Sequence, residues 1–146
     1  VIPQMILLTH THPDHAGGLG QLDREFRCPT WVDKMEPRPT GSNDLHTIEE
    51  GKPIILGALE IETIATRGHT TGGISFKINE SVISGDAIFA GSMGRANSSW
   101  EDLYFSITNN LLTLPENTRL YPGHGPSTTV GEEKRHNPFF YDKSLQ

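Results

Sequence analysis

The stretch LLTHTHPDHAGGLG, Leu7 to Gly20, places three histidines and an aspartate within six positions, directly after an apolar run. The whole chain has only seven histidines in 146 residues, so this density needs a cause. A solvated loop with capping functions has use for an aspartate but not for three imidazoles. A metal site uses both, because neutral imidazole and carboxylate are good ligands for Zn²⁺, Fe²⁺ or Mn²⁺. His10 and His12 stand two apart at the end of a strand expected over residues 4–9, so their rings project to one side. Asp14 and His15 follow at the turn into a helix expected over residues 15–24, with Asp14 as its N-cap behind Pro13. Four such groups are enough for two adjacent ions.

Further ligands for such a site should stand at other strand ends, and the sequence supplies them. His69 in TRGHTTGG follows a strand expected over residues 59–65. Asp86 in VISGDAIFAG follows one over residues 81–84, and His124 in LYPGHGPSTT follows Leu120-Tyr121. Each is a lone ligand type in a glycine-rich turn, where the backbone can bend sharply and approach a bound group closely. Together they place five of the seven histidines and two aspartates at successive strand ends.

Around these positions the chain alternates strands and helices without repeats. Residues 30–32 read as a short strand and the polar residues 35–45 as a long loop. Residues 53–56 and 59–65 form a hairpin through Gly57-Ala58, and residues 74–78 and 81–84 another through Asn79-Glu80. Leu103, Ile107, Leu111 and Leu114 fall on one face of a helix over residues 100–114, which Pro115 ends. A last helix covers residues 129–136, with Glu132, Glu133 and Lys134 as its solvated face. The class is α/β, or α+β with much hairpin content. At this length the chain is one domain with a core that needs no disulfides.

Composition narrows the functions. A net charge of −6 speaks against a nucleic-acid surface, which needs clustered Lys and Arg. No basic run marks a lipid-binding patch, and no apolar run is long enough to span a membrane. The single cysteine, Cys28, excludes an internal disulfide and fits a reducing, cytoplasmic setting; it reads as a small packed residue. His46 and His136 lie outside the motifs and read as surface histidines.

The order His-x-His-x-Asp-His, His, Asp, His resembles the metallo-β-lactamase superfamily. GHTTGG, SGDAIFAGSMGR and YPGHGPSTTVGEEKRHNPFF resemble its single-domain, glyoxalase II-like hydrolases. The resemblance implies an αββα sandwich and two divalent ions, zinc foremost, with iron or manganese as alternatives. His10, His12 and His69 would hold one ion, Asp14, His15 and His124 the other, and Asp86 would bridge them. A hydroxide shared by the ions would attack a carbonyl, and Asp14 would orient it or take its proton. Apart from the resemblance, Arg95, which follows Asp86 in GSMGRANSS, reads either as a bidentate clamp for a substrate carboxylate or as a surface or loop-fixing salt bridge.

The departures from that family also carry weight. Metallo-β-lactamases proper often carry cysteine where this chain has Asp86, which points away from antibiotic hydrolysis. Full glyoxalase II enzymes add a helical glutathione-binding domain, whereas only 22 residues follow His124 here. The family's fold begins with strands upstream of the first motif, so this chain is expected to be N-terminally truncated. It would hold the C-terminal two-thirds of the sandwich, which a missing segment or a partner chain would complete. The expected activity is hydrolysis of a small-molecule thioester or ester. The competing readings are a persulfide dioxygenase using one Fe²⁺ on His10, His69 and Asp86, and an inactive metal-binding fragment.

Overall fold

The computed structural model describes residues 1–141. Residues 5–8 (MILL) show how the chain is layered. Met5 and Leu7 pack into one apolar cluster with Ile48, Ile61, Ile74 and Phe76, while Ile6 and Leu8 join another with Leu19 and Val32. This two-residue alternation is that of a strand covered on both faces. The strand is β1 (Ile6–Leu7), which pairs in parallel with β2 (Thr30–Asp33), and β2 pairs in parallel with β3 (Leu45–Ile48).

The second sheet has six strands. β4 (Ile54–Leu56), β5 (Leu59–Ala65), β6 (Ile74–Ile78) and β7 (Ser81–Gly85) pair antiparallel in succession. β10 (Arg119–Pro122) runs parallel to β7, and β11 (Thr128–Thr129) closes the far edge. A separate hairpin, β8 (Ile88–Phe89) with β9 (Ser92–Met93), follows β7. The cluster around Ile61 and Phe76 fills the space between the two sheets. Outside the second sheet, Val82 and Leu120 pack against Leu103, Ile107, Leu111 and Val130 of the C-terminal helices. Outside the first lie α1 (Pro13–Ala16) and α2 (Leu19–Phe26). The result is an α-β-β-α sandwich. Among the described residues, no helix is long and apolar enough to cross a membrane.

The strand directions place one set of termini together. β5, β7 and β10 run the same way, so their carboxyl ends lie at one edge of the second sheet. Ile74 N donates to Thr9 O at 3.0 Å, tying the end of β1 to that same edge. The turns that carry His10, His69, Asp86 and His124 therefore meet there.

Several local expectations are corrected. The helix expected over residues 15–24 is two helices, broken at Gly17-Gly18, which has little helical preference. Asp14 is not an N-cap: it sits in the first turn of α1, whose N-cap is His12, and no side chain caps either helix. Only Ile6–Leu7 of the strand expected over 4–9 is paired. The long loop ends in a parallel strand, β3, and the chain after Asp86 forms a further hairpin, β8–β9.

The amphipathic helix over 100–114 is also two segments, α3 (Trp100–Ser106) and a π-helical turn, Ile107–Leu111. Thr108 Oγ1 and Asn109 Nδ2 bond back to the carbonyls of Tyr104 and Phe105, at 2.7 and 3.0 Å, and Leu112 N reaches Ile107 O. Such back-bonding competes with the regular ladder. The widened turn lets Asn110 Nδ2 donate to Ala65 O at 2.9 Å, securing the end of β5 just before His69. Glu133 on α4 (Val130–His136) is buried, not solvated. Cys28 is packed as expected, His136 is exposed, and His46 lies at the surface stacked on Trp31.

Candidate metal centre

Two groups of side chains converge at the shared sheet edge. His10, His12 and His69 form one; Asp14, His15, Asp86 and His124 form the other. Within each group, one ligand-type atom from every residue lies within 4.8 Å of all the others. These are the seven residues that the motif order had singled out.

Asp86 sits between the groups. Its Oδ2 lies 3.8 Å from His10 Nε2, 3.5 Å from His69 Nε2 and 3.4 Å from His124 Nε2, and its Oδ1 lies 3.2 Å from His15 Nε2. His12 presents Nδ1 instead, 3.0 Å from His69 Nε2. Asp14 Oδ2 lies 3.0 Å from His124 Nε2 and 3.5 Å from His15 Nε2.

The donor set fits a cation. His10 Nε2, His15 Nε2 and Asp86 Oδ1 are buried without any hydrogen-bond partner, an arrangement that native structures rarely leave unexplained. Two of these orphans, His15 Nε2 and Asp86 Oδ1, face each other. When both are acceptors they repel, and a cation between them removes the conflict.

Protonation states agree. Burial, followed by the neighbouring His15, holds the His10 imidazole down from 6.5 to about 4, against the opposing pull of Asp86. Its ring is therefore neutral at neutral pH, with a lone pair free. For Asp14, desolvation pushes upward, but its own backbone hydrogen bond and the rings of His15 and His124 bring its carboxyl below the usual range. It is an anion at neutral pH.

The His10 shift has a testable consequence for the metal-stripped chain. Unfolding returns the ring to its ordinary value, so the unfolded state binds the extra proton. The stability that goes with neutral His10 is whole above about 6.5 and is lost as pH falls toward about 4. The thermal unfolding temperature of chelator-treated protein is expected to fall across that window, and His10→Asn to flatten the dependence.

Three supports were not visible in the sequence. His69 Nδ1 donates to the main-chain carbonyl of Arg95 at 2.7 Å, which leaves Nε2 as the lone-pair nitrogen turned to the site. Arg95 thus acts here through its backbone, while its side chain is exposed. Gly94 and Gly123 leave room for the site: a Cβ on Gly94 would run into Asp86 O, and one on Gly123 into Asp86 Oδ1 and His15 Cε1.

Glu36 is the third support. Its buried carboxylate accepts from Thr11 N (3.0 Å), Thr11 Oγ1 (2.8 Å) and Gly72 N (3.0 Å). It joins the His10–His12 segment to the turn after His69. Glu36→Ala would orphan two backbone N–H groups, each costing about 1–3 kcal/mol. We expect a loss of about 3 kcal/mol in denaturant unfolding, and weaker metal retention measured on the same sample.

Residues 3–124 match the family model of the metallo-beta-lactamase superfamily, and the chain belongs to that superfamily. It is 36% identical to the probable metallo-hydrolase YqgX of Bacillus subtilis, over 98% of this chain and 78% of that protein. It is 34% identical to hydroxyacylglutathione hydrolase GloC of Haemophilus influenzae, over 97% and 77%. The fold superposes on the BLEG-1 B3 metallo-beta-lactamase with a TM-score of 0.86 at 32% identity, covering 97% of this chain and 79% of that one. On ETHE1 from Myxococcus xanthus the TM-score is 0.83 at 32% identity, covering 94% and 63%. Its relatives there include probable metallo-hydrolases, and the chain carries histidine–aspartate clusters of the kind a metal site uses.

Proposed function

We propose that the chain hydrolyses a small-molecule thioester or ester of the hydroxyacylglutathione kind at a site for two divalent ions, zinc foremost. The observation that carries this reading is the seating of Asp86 between the two ligand groups. The likeness to GloC supports the choice of substrate class. His10, His12 and His69 would hold one ion, Asp14, His15 and His124 the other, and Asp86 would serve both. When bound, the ions supply Lewis acidity, which polarises a carbonyl and lowers the pKa of water.

The chain's own groups do the rest. Asp14, 55% exposed and anionic, would orient the attacking water or take the proton that this water gives up. The exposed Arg95 guanidinium binds a substrate carboxylate through a bidentate pair. The setting is cytoplasmic, in keeping with one buried, free Cys28. Among the described residues β1 is an edge strand of the first sheet, and a further segment or a partner chain would pair there.

A second reading uses one iron on His10, His69 and Asp86, a two-histidine, one-carboxylate set suited to oxygen chemistry. It is favoured by the approach of both imidazole Nε2 atoms to one carboxylate oxygen, Asp86 Oδ2. Metal content per chain, measured on protein purified without added metal or chelator, separates the two. About two ions per chain, with turnover of S-lactoylglutathione exceeding that of a β-lactam in one panel, is the result expected. A single iron with oxygen uptake on glutathione persulfide would overturn the hydrolase reading. An ion-free, inactive chain would support the inert fragment.

A further inference from the structure

His124 is the most exposed histidine of the site. His10 Nδ1 lies 3.1 Å from Thr9 Oγ1, and His69 Nδ1 is bound to Arg95 O. The His15 ring packs against His10 with centroids 4.0 Å apart. His124 is 57% exposed, and among the described residues its polar contacts are those of Nε2 with Asp14 and Asp86. The rings beside it are the fellow ligand His15, with centroids 5.6 Å apart and planes at 84°, and, from outside the ligand set, Phe89, with centroids 6.0 Å apart and planes at 82°. Such an edge-to-face pair favours one orientation of both rings.

Phe89 and His124 belong to different elements, the β8–β9 hairpin and the turn after β10. Glu133 of α4 joins them. Its Oε2 accepts from Gly91 N at 3.0 Å, two residues beyond Phe89. Its Oε1 accepts from Thr128 Oγ1 at 2.7 Å, four residues beyond His124. Asn137, one turn along and fully buried, donates Nδ2 to Glu133 Oε2 at 2.7 Å and to Ser92 O at 2.9 Å. A buried carboxylate is costly unless fully hydrogen-bonded, and here each bond goes to a segment that sets the Phe89–His124 distance or to the residue that braces it.

We propose that Glu133 and Phe89 are positioning residues for His124, and through it for the ion held by Asp14, His15, Asp86 and His124. This inference rests on the two-ion reading of the site. It assigns a role to the GEEKRHN segment, which contacts none of the ligand atoms. In the other group His10 is held by Thr9 and His69 by Arg95, and neither contact involves Glu133 or Phe89.

The test is titration of the metal-free chain with cobalt(II), followed by visible absorption, with thermal unfolding of each variant alongside. His124→Ala identifies which binding step belongs to the His124 group. Glu133→Ala and Phe89→Ala are each expected to weaken that step by about tenfold or more and to leave the other step unchanged. Glu133→Gln should restore it, because the amide oxygen still accepts from Gly91 and Asn137 while the NH₂ donates to Thr128 Oγ1. Both steps weakened alike, or a lower unfolding temperature with unchanged ion binding, would overturn the proposal. If Glu133→Ala does not fold, Phe89→Ala decides, since that half-buried ring sits outside the main core cluster. A native chain that takes a single cobalt ion overturns the two-ion reading itself, a result distinct from any variant effect.

Discussion

Asp86→Asn is expected to lower kcat/KM by a thousandfold or more, on the order of 4 kcal/mol of transition-state stabilisation, while the fold survives. Asparagine matches the shape of aspartate, so the tight space below Gly94 and Gly123 still accepts it. What is lost is the negative charge that four imidazole nitrogens approach within 3.2 to 3.8 Å. Without that carboxylate, the rings around an amide would neither offset the charge of two cations nor bridge them. Metal content per chain should fall with activity, and the unfolding temperature of the metal-free variant should stay close to that of metal-free native protein. Near-native turnover in Asp86→Asn would show that the reaction does not use the space between the two groups.

Gly123→Ala should be nearly as damaging, although it removes no functional group. Its φ lies outside the left-handed region, so alanine suits the backbone there, and the difficulty is steric alone. The added methyl would press on Asp86 Oδ1 and come within 2.6 Å of His15 Cε1. Both atoms belong to the His124 group, so the damage should be selective. We expect loss of about one ion per chain and of at least a hundredfold in turnover, with little change in the metal-free unfolding temperature. Turnover within a few-fold of native would mean that the turn after β10 yields easily, and that the close packing around Asp86 is not needed for function.

The site was largely legible in the sequence because its chemistry is carried by side-chain type and by position after strands. His69, Asp86 and His124 each stand in a glycine-rich turn behind an apolar run, and strand direction then brings them together. The supports were not legible for equally physical reasons. Glu36 lies in a polar, proline-containing stretch that reads as solvated loop; only the fold shows its carboxylate turned inward to Thr11 and Gly72. Glu133 reads as part of a solvated face because it lies in an EEK run, whose outward members, Glu132 and Lys134, hide the one that points in. Arg95 drew attention for its guanidinium, but its contact with the site is a carbonyl, which every residue has. β3 escaped notice because an edge strand of four residues with two apolar positions carries little pattern. The π-helical turn preserves the buried series Leu103, Ile107 and Leu111, so hydrophobic spacing could not reveal it.

The meeting of strand ends from two separate sheets makes the site a clasp. His10, His12, Asp14 and His15 hang from the first sheet, while His69, Asp86 and His124 hang from the second. Each group draws on both. An ion bound by either group would therefore tie the layers at their rim, adding to the Thr9–Ile74 backbone bond and the Glu36 contacts that already join them. Because such an ion favours the folded chain by mass action, scarcity of metal would do more than silence the active site. It would let the two sheets part first at that rim, making metal supply a determinant of how long the protein endures.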